Sequence, residues 1–279
     1  MPSPDLASIA QPIAFIGGGN MASAILGGLL RQGLPPAQVE VVEPFEGARQ
    51  QLLQQFGVRA QPAPTAALQR ASLVVWAVKP QTFRDAAVAA SPFTSAALHL
   101  SVAAGIRSDS IARWAGTQRI VRSMPNTPAL VGKGMTALYA RAGVSATDRA
   151  LVEQVLAPTG ATLWVDAERQ LDAVTALSGS GPAYVFYFIE AMVQAGTEMG
   201  LPADKALQLA IGTFSGASEL ARTATEPPQV LRERVTSKGG TTYAALTSMR
   251  EAGVAEAFVR AMKAAEKRAA ELGDEFGAG

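Results

Sequence analysis

The first half of the chain alternates short apolar runs with longer stretches of helical periodicity. Ile13–Ile16 and Val39–Val42 are compact, mostly apolar runs. Leu73–Val78 is apolar along its length, as expected of a strand covered on both faces. Leu98–Val102 and Arg119–Ser123 continue the series, and Ala22–Arg31 and Phe45–Phe56 between them read as helices. Such alternation predicts a parallel sheet with helices on both sides. Met135–Ala140 and Thr162–Val165 are two further strands, flanking a helix at Ala146–Leu156.

After about Glu168 the strand pattern stops. Helices are predicted at Leu171–Met199, Ala203–Ala221, Gln229–Val235, Tyr243–Glu251 and Val254–Leu272. The chain is therefore expected to divide into an α/β part, residues 1–167, and an all-helical part, residues 168–279. Leu171–Met199 carries Val174, Leu177, Tyr184, Val185, Phe188, Ile189 and Met192. That is more apolar surface than one amphipathic face uses, so part of it is expected to pack against a partner helix. The mixed-charge run Lys263–Glu271 reads as a solvated helix face.

The turn after the first strand reads Gly17, Gly18, Gly19, Asn20, Met21, Ala22, a G-x-G-x-x-A pattern between a strand and a helix. Gly17 permits a tight turn, Gly19 lets a pyrophosphate approach the backbone, and Ala22 keeps helix and strand close. The phosphates then sit at a helix N-terminus, where free N–H groups and the dipole favour an anion. A purely structural βα turn is the alternative. Glu43 ends the second strand, 24 residues after Gly19, where an acidic residue bonds the ribose hydroxyls of a dinucleotide. A carboxylate there repels a 2′-phosphate, and Arg49 stands close enough in sequence to offset it.

Composition narrows the field. The 279 residues include no Cys and one His, His99, inside a strand-like run where a structural role is expected. The absence of Cys excludes disulfides, thiol nucleophiles and thiolate metal sites, which fits a reducing cytoplasm, and with one His a conventional zinc site is not expected. A net charge of +1 offers no basic field for nucleic acid. Apolar runs are broken well short of the roughly 20 residues that span a bilayer. Met1–Gln11 lacks a basic region, so no signal peptide is expected there. Trp76, Trp114 and Trp164 read as core or interface, and Tyr184, Phe186, Tyr187 and Phe188 as helix packing.

Four further stretches carry a resemblance: Ala77-Val78-Lys79-Pro80-Gln81, Met124-Pro125-Asn126-Thr127-Pro128, Leu177-Ser178-Gly179-Ser180-Gly181-Pro182, and Ser237-Lys238-Gly239-Gly240-Thr241-Thr242 within a Val235-Thr236-Ser237 frame. From about Ile13 to Met249 the chain resembles the Δ1-pyrroline-5-carboxylate reductases, which complete proline biosynthesis. The resemblance implies an N-terminal Rossmann domain and an all-helical dimerisation domain, assembled as a homodimer or a ring of dimers. It implies hydride transfer from NADPH or NADH to the C=N bond of a small cyclic imino acid. By position, residues similar to the family's cofactor contacts are Gly17 to Ala22, then Ala77, Val78, Lys79 and Pro80, then Val102, Ala103 and Ala104. Residues similar to its substrate contacts are Glu168, Ser237, Gly240, Thr241 and Thr242. Two departures stand out: Glu43, where the family usually has small polar residues receiving a 2′-phosphate, and Pro64-Thr65, where many members have an Asn.

The chemistry suits these residues. A cyclic imine beside a carboxylate needs its carboxylate held, its C=N carbon turned to the nicotinamide, and its nitrogen protonated or hydrogen-bonded. Positioning and electrostatics can supply most of that. Gly239 and Gly240 expose N–H groups at a helix start, Ser237 adds a hydroxyl, and Thr242 supplies one for the ring nitrogen. From the residues alone, an ordinary Ser N-cap with a glycine-rich loop explains this stretch equally well; the resemblance favours substrate binding. A hydroxyacid dehydrogenase of similar plan needs a lysine base in a G-x-G-x-x-x-K-x-x-N helix, but Val185 and Phe188 occupy those places. A non-catalytic dinucleotide sensor would keep Gly17–Ala22 without needing Ser237–Thr242.

Overall fold

The computed structural model describes residues 11–277. The lead-in Met1–Gln11, read as lacking a signal peptide, lies outside them except for Gln11. Strands β1 (Ile13–Ile16), β2 (Val39–Val42), β3 (Ala60–Gln61), β4 (Leu73–Trp76), β5 (Leu98–Ser101), β6 (Ile120–Met124), β7 (Gly134–Ala140) and β8 (Gly160–Trp164) form one sheet. Their order is β3-β2-β1-β4-β5-β6-β7-β8. All pairs are parallel except β6 with β7. The expected parallel sheet holds for the pairs formed among β1 to β6, and the sequence pattern leaves the direction of β7 open. The connection from β6 to β7 is a short 3₁₀ turn at Thr127–Val131 instead of a crossover helix, so β7 returns antiparallel.

The first five helices are α1 (Asn20–Arg31), α2 (Glu46–Phe56), α3 (Pro80–Thr94), α4 (Ser108–Ala115) and α5 (Ala146–Leu156). Side chains alternate between the two faces of the sheet. Ile13, Phe15, Leu73 and Val75 join Ile25 and Leu29 of α1 and Val152 and Val155 of α5 in one core. Ala14, Ile16, Val74 and Trp76 join Phe83 of α3 and Ile111 of α4 in the other. Both faces of β1 and β4 are therefore buried, which is why their sequences are continuously apolar. Each large side chain so buried contributes about 1.5–3 kcal/mol.

His99 on β5 is fully buried. Its Nδ1 accepts from Trp76 Nε1 at 3.0 Å, and its Nε2 lies 2.9 Å from the carbonyl oxygen of Thr94, which fixes the tautomer with the proton on Nε2. Burial holds its pKa down at about 4, against 6.5 for a free imidazole. The unfolded chain therefore takes up a proton near pH 6.5 that the native state refuses until about pH 4. Stability should fall across that window as pH drops, by roughly 3 kcal/mol from this group. Denaturant melts of the wild type and His99→Gln at the two ends of the window check this. The variant should lose less stability on acidification, and an equal loss in both would assign the acid sensitivity elsewhere.

The remaining helices are α6 (Gln170–Val174), α7 (Gly181–Glu198), α8 (Ala203–Thr223), α9 (Pro228–Arg234), α10 (Thr241–Glu251) and α11 (Val254–Gly277). The single helix expected over Leu171–Met199 is broken. A π-helical turn occupies Thr175–Gly179, and α7 restarts at Gly181 with Pro182 in its first turn, where a missing N–H costs nothing. Two compact units result. One runs up to Gly179 and takes back the chain from Ala265, and the other is Ser180–Ala264. The sequence pattern changes earlier, at 167/168, but α6 packs on β6 and β7 and stays with the sheet. In the helical unit α7 lies along α8, and Tyr184 and Phe188 meet the Phe258 ring edge-on at 5.5 and 5.8 Å. No helix among the described residues is long and apolar enough to cross a membrane.

Candidate active site

The sheet order reverses direction between β1 and β4, the switch point at which open α/β sheets hold ligands beyond the strand ends. Three of the sequence-predicted cofactor segments leave the carboxyl ends of adjacent parallel strands: Gly17–Ala22 after β1, Ala77–Pro80 after β4 and Val102–Ala104 after β5. Gly17 has φ +96°, and a Cβ there would lie 2.5 Å from the Ala77 carbonyl oxygen. Only glycine fits that turn. A Cβ on Gly19 would meet nothing within 4 Å. The protein therefore does not need glycine there for its own packing; the open side in front of it fits an approaching pyrophosphate. Gly19 is the N-cap of α1, with no side chain capping and no acidic residue in the first turn. Asn20, Met21 and Ala22 thus begin a helix whose own first turn leaves its N–H groups uncapped by any side chain. Lys79 is exposed and caps α3, with Pro80 at the first helical position.

Glu43 does more than mark the end of β2. It is buried, its Oε2 accepts from the Gly18 N–H at 2.8 Å, and its Oε1 accepts from the Phe45 N–H at 2.9 Å. The carboxylate therefore fastens the middle of the glycine turn, a role that sequence spacing did not disclose. Arg49 donates to the carbonyl oxygens of Glu43 at 3.0 Å and Pro44 at 2.6 Å, so it is held over this strand end. Thr65 caps a short 3₁₀ turn through Ala67 N–H.

Glu168 lies apart from that turn, in the link from β8 to α6. Its Oε1 accepts from the Ser108 N–H at 2.6 Å and Arg122 Nη1 at 2.7 Å, and its Oε2 from the Ser108 hydroxyl at 2.5 Å. These bonds outweigh partial burial and hold the carboxyl below its ordinary pKa. The result is a carboxylate at the start of α4, paired with a nearly buried arginine from β6. Asn126, in a motif to which no role was assigned, bridges its own loop to the π turn. Its Nδ2 donates to Ser178, and its Oδ1 accepts from the Met135 N–H at 2.9 Å. Gly179 lies so close to Met124 that a Cβ would come within 2.3 Å of its methyl.

Ser237, Gly240, Thr241 and Thr242 belong to the helical unit. The loop closes through the Gly240 N–H on the Ser237 carbonyl oxygen at 3.0 Å, with Gly239 at φ +76°. Gly240 is the N-cap of α10, again without a side-chain cap or an acidic first turn. A Cβ on Gly240 would lie 2.6 Å from Ser237 Oγ, so glycine lets the hydroxyl sit against the helix start. Ser237 and Thr241 are exposed and Thr242 is half-buried. An uncapped helix N-terminus beside two hydroxyls can hold a carboxylate.

Residues 168–272 match the family model for pyrroline-5-carboxylate reductase dimerisation, and residues 12–105 match that for the coenzyme F420-dependent NADP oxidoreductases. The chain is 42% identical to the pyrroline-5-carboxylate reductase of Pseudomonas aeruginosa, over 95% of this chain and 98% of the relative. It is 37% identical to that of Glycine max, over 93% and 95%. The solved reductase of Coxiella burnetii superposes with a TM-score of 0.88 at 35% identity, covering 94% of this chain and 98% of that one. The Plasmodium falciparum enzyme with NADP bound gives 0.84 at 26% identity, covering 95% and 99%. With likeness along nearly its whole length, the chain belongs to the pyrroline-5-carboxylate reductase family.

Proposed function

We propose that Gly17–Ala22 and Ser237–Thr242 divide the work of a pyrroline-5-carboxylate reductase, the first binding the cofactor and the second the substrate. The activity is reduction of 1-pyrroline-5-carboxylate to L-proline with NADPH or NADH. The observation that carries the division is that two helix N-termini, one behind each glycine loop, both lack a side-chain cap and an acidic residue in the first turn. A bound nicotinamide dinucleotide supplies the hydride. Gly19, Asn20, Met21 and Ala22 receive the pyrophosphate on backbone N–H groups. Ala77, Val78, Lys79, Pro80, Val102, Ala103 and Ala104 line the remaining cofactor path.

In the second loop, Ser237, Gly240 and Thr241 hold the substrate carboxylate. Thr242 bonds the ring nitrogen and keeps the iminium carbon directed for hydride attack. The nitrogen arrives protonated, so no strong protein acid is required. Glu168 contributes through Ser108 and Arg122 by fixing the start of α4. The chain forms a homo-oligomer, and we assign the contact to the helical unit, whose exposed Phe186, Tyr187, Ile211 and Leu220 form apolar surface that a second copy can cover.

Cofactor choice tests the first loop. Glu43→Ser removes both the negative charge and the acceptor of Gly18. Both cofactors should bind less well, but the ratio of kcat/KM for NADPH over NADH should rise by about 1–3 kcal/mol, roughly fivefold to 150-fold. An unchanged ratio would leave Glu43 as a fastener of the turn only.

A further inference from the structure

The end of α11 lies against the loop that follows β5. Gly105 has φ +72°, and a Cβ there would come 3.2 Å from Phe276 Cδ2 and 3.4 Å from Leu272 Cβ. Phe276 packs on the sheet-face core that contains Ala103 and Ile106. Arg107, two residues after Gly105, donates to Asp274 Oδ1 at 2.7 Å and to the Ala270 carbonyl oxygen at 3.4 Å. It lies across the helix at Gly273, where a Cβ would meet its Nε at 2.9 Å. Arg113 of α4 donates to the Gly277 carbonyl oxygen at 3.0 Å, a cation placed at the negative end of α11. Ala104, just before this grip, is exposed.

Most of this grip is weak in stability terms. The Asp274 side chain is 75% exposed, and a surface ion pair of that kind contributes little. The aromatic ring, the ion pair and the helix end do share one effect: all three act on Gly105 to Arg113, the chain immediately beyond Val102–Ala104. From the other side Glu168 grips the Ser108 N–H and hydroxyl. The loop after β5 is thus held at its outer end while its strand end is fixed by the sheet.

We propose that the last turns of α11 are a clasp that sets the β5–α4 loop for the cofactor, with Phe276 and Asp274 as positioning residues. The proposal rests on the assignment of Val102–Ala104 to the cofactor path. Releasing the clasp leaves the substrate loop untouched and lets Ala104 move away from its binding position. Weaker cofactor binding is then the main consequence.

The test uses the full chain and four variants: Phe276→Ala, Phe276→Leu, Asp274→Asn and Ala104→Asp. Dissociation constants for NADPH and NADH, KM for the imine and melting curves are measured on each. Phe276→Ala should raise the cofactor dissociation constant by roughly three- to tenfold, with imine KM within about twofold of wild type. Phe276→Leu should restore most of the affinity. Asp274→Asn, at an exposed site that folding does not depend on, should weaken the cofactor in the same direction by a smaller factor. Ala104→Asp should weaken it more than any of them, because it sets a charge on the path itself. If Ala104→Asp weakens the cofactor while Phe276→Ala and Asp274→Asn do not, the clasp is overturned and the loop assignment stands. If Ala104→Asp is silent, the loop assignment falls and the clasp with it.

Discussion

Thr242→Val should lose roughly tenfold to several hundredfold in kcat/KM for the imine while binding NADPH and NADH as tightly as the wild type. The substitution keeps the β-branched shape and removes one hydroxyl, so packing of α10 is preserved. Thr242 is half-buried in the first turn of α10, one residue beyond the exposed Thr241. If its hydroxyl bonds the ring nitrogen, its loss removes an interaction that strengthens as the C=N bond is reduced. The stated range corresponds to about 1.4–3.5 kcal/mol of transition-state stabilisation. Steady-state kinetics with both substrates varied, beside a direct cofactor titration, reads the effect. A parallel loss of cofactor binding would show a disturbed fold, and unchanged kcat/KM would remove Thr242 from the catalytic assignment.

An effect of similar size, on cofactor binding this time, is expected at Gly19, and Gly17 provides the contrast. Gly19 has φ −72° and ψ −170°, a conformation alanine adopts without strain, and its Cβ would touch no protein atom within 4 Å. Gly19→Ala should therefore melt near the wild-type temperature. Its methyl group would stand where the pyrophosphate approaches, so cofactor affinity should fall by about 100-fold or more, near 3 kcal/mol. Gly17→Ala should behave differently, because its Cβ would collide with backbone atoms of Ala77 and its φ is positive. There the fold itself should lose about 2–4 kcal/mol, and binding should fall with it. Thermal melts and cofactor titrations on both variants separate the two cases. Equal destabilisation of the two would mean that Gly19 is held for packing and not for a ligand.

The two glycines illustrate what was legible in the sequence. Spacing alone gave both, because a strand, a glycine turn and a helix in succession leave few alternatives. It could not give the hold of Glu43 on the turn, since the hydrogen bond to Gly18 N–H spans 25 residues and depends on the register of β1 against β2. The strands buried on both faces were readable for the same reason that they are stable: no polar position interrupts them. The antiparallel return of β7 was not readable, because a strand's own pattern is the same in either direction. The break in Leu171–Met199 was hidden by an apolar pattern that continues through the π turn, although Gly179, Gly181 and Pro182 mark the place. Family likeness puts Glu168 among substrate contacts, while its bonds to Ser108 and Arg122 join residues 60 and 46 positions apart and leave no local signal. The grip of Phe276 on Gly105 joins residues 171 positions apart and leaves no local signal.

The most direct test of the whole account is turnover. Purified full-length protein is mixed with 1-pyrroline-5-carboxylate and either NADPH or NADH, and cofactor oxidation and proline formation are followed together. The account predicts one proline formed for each reduced cofactor consumed. Folded protein that binds the cofactor yet leaves both the imine and the cofactor unchanged would contradict it.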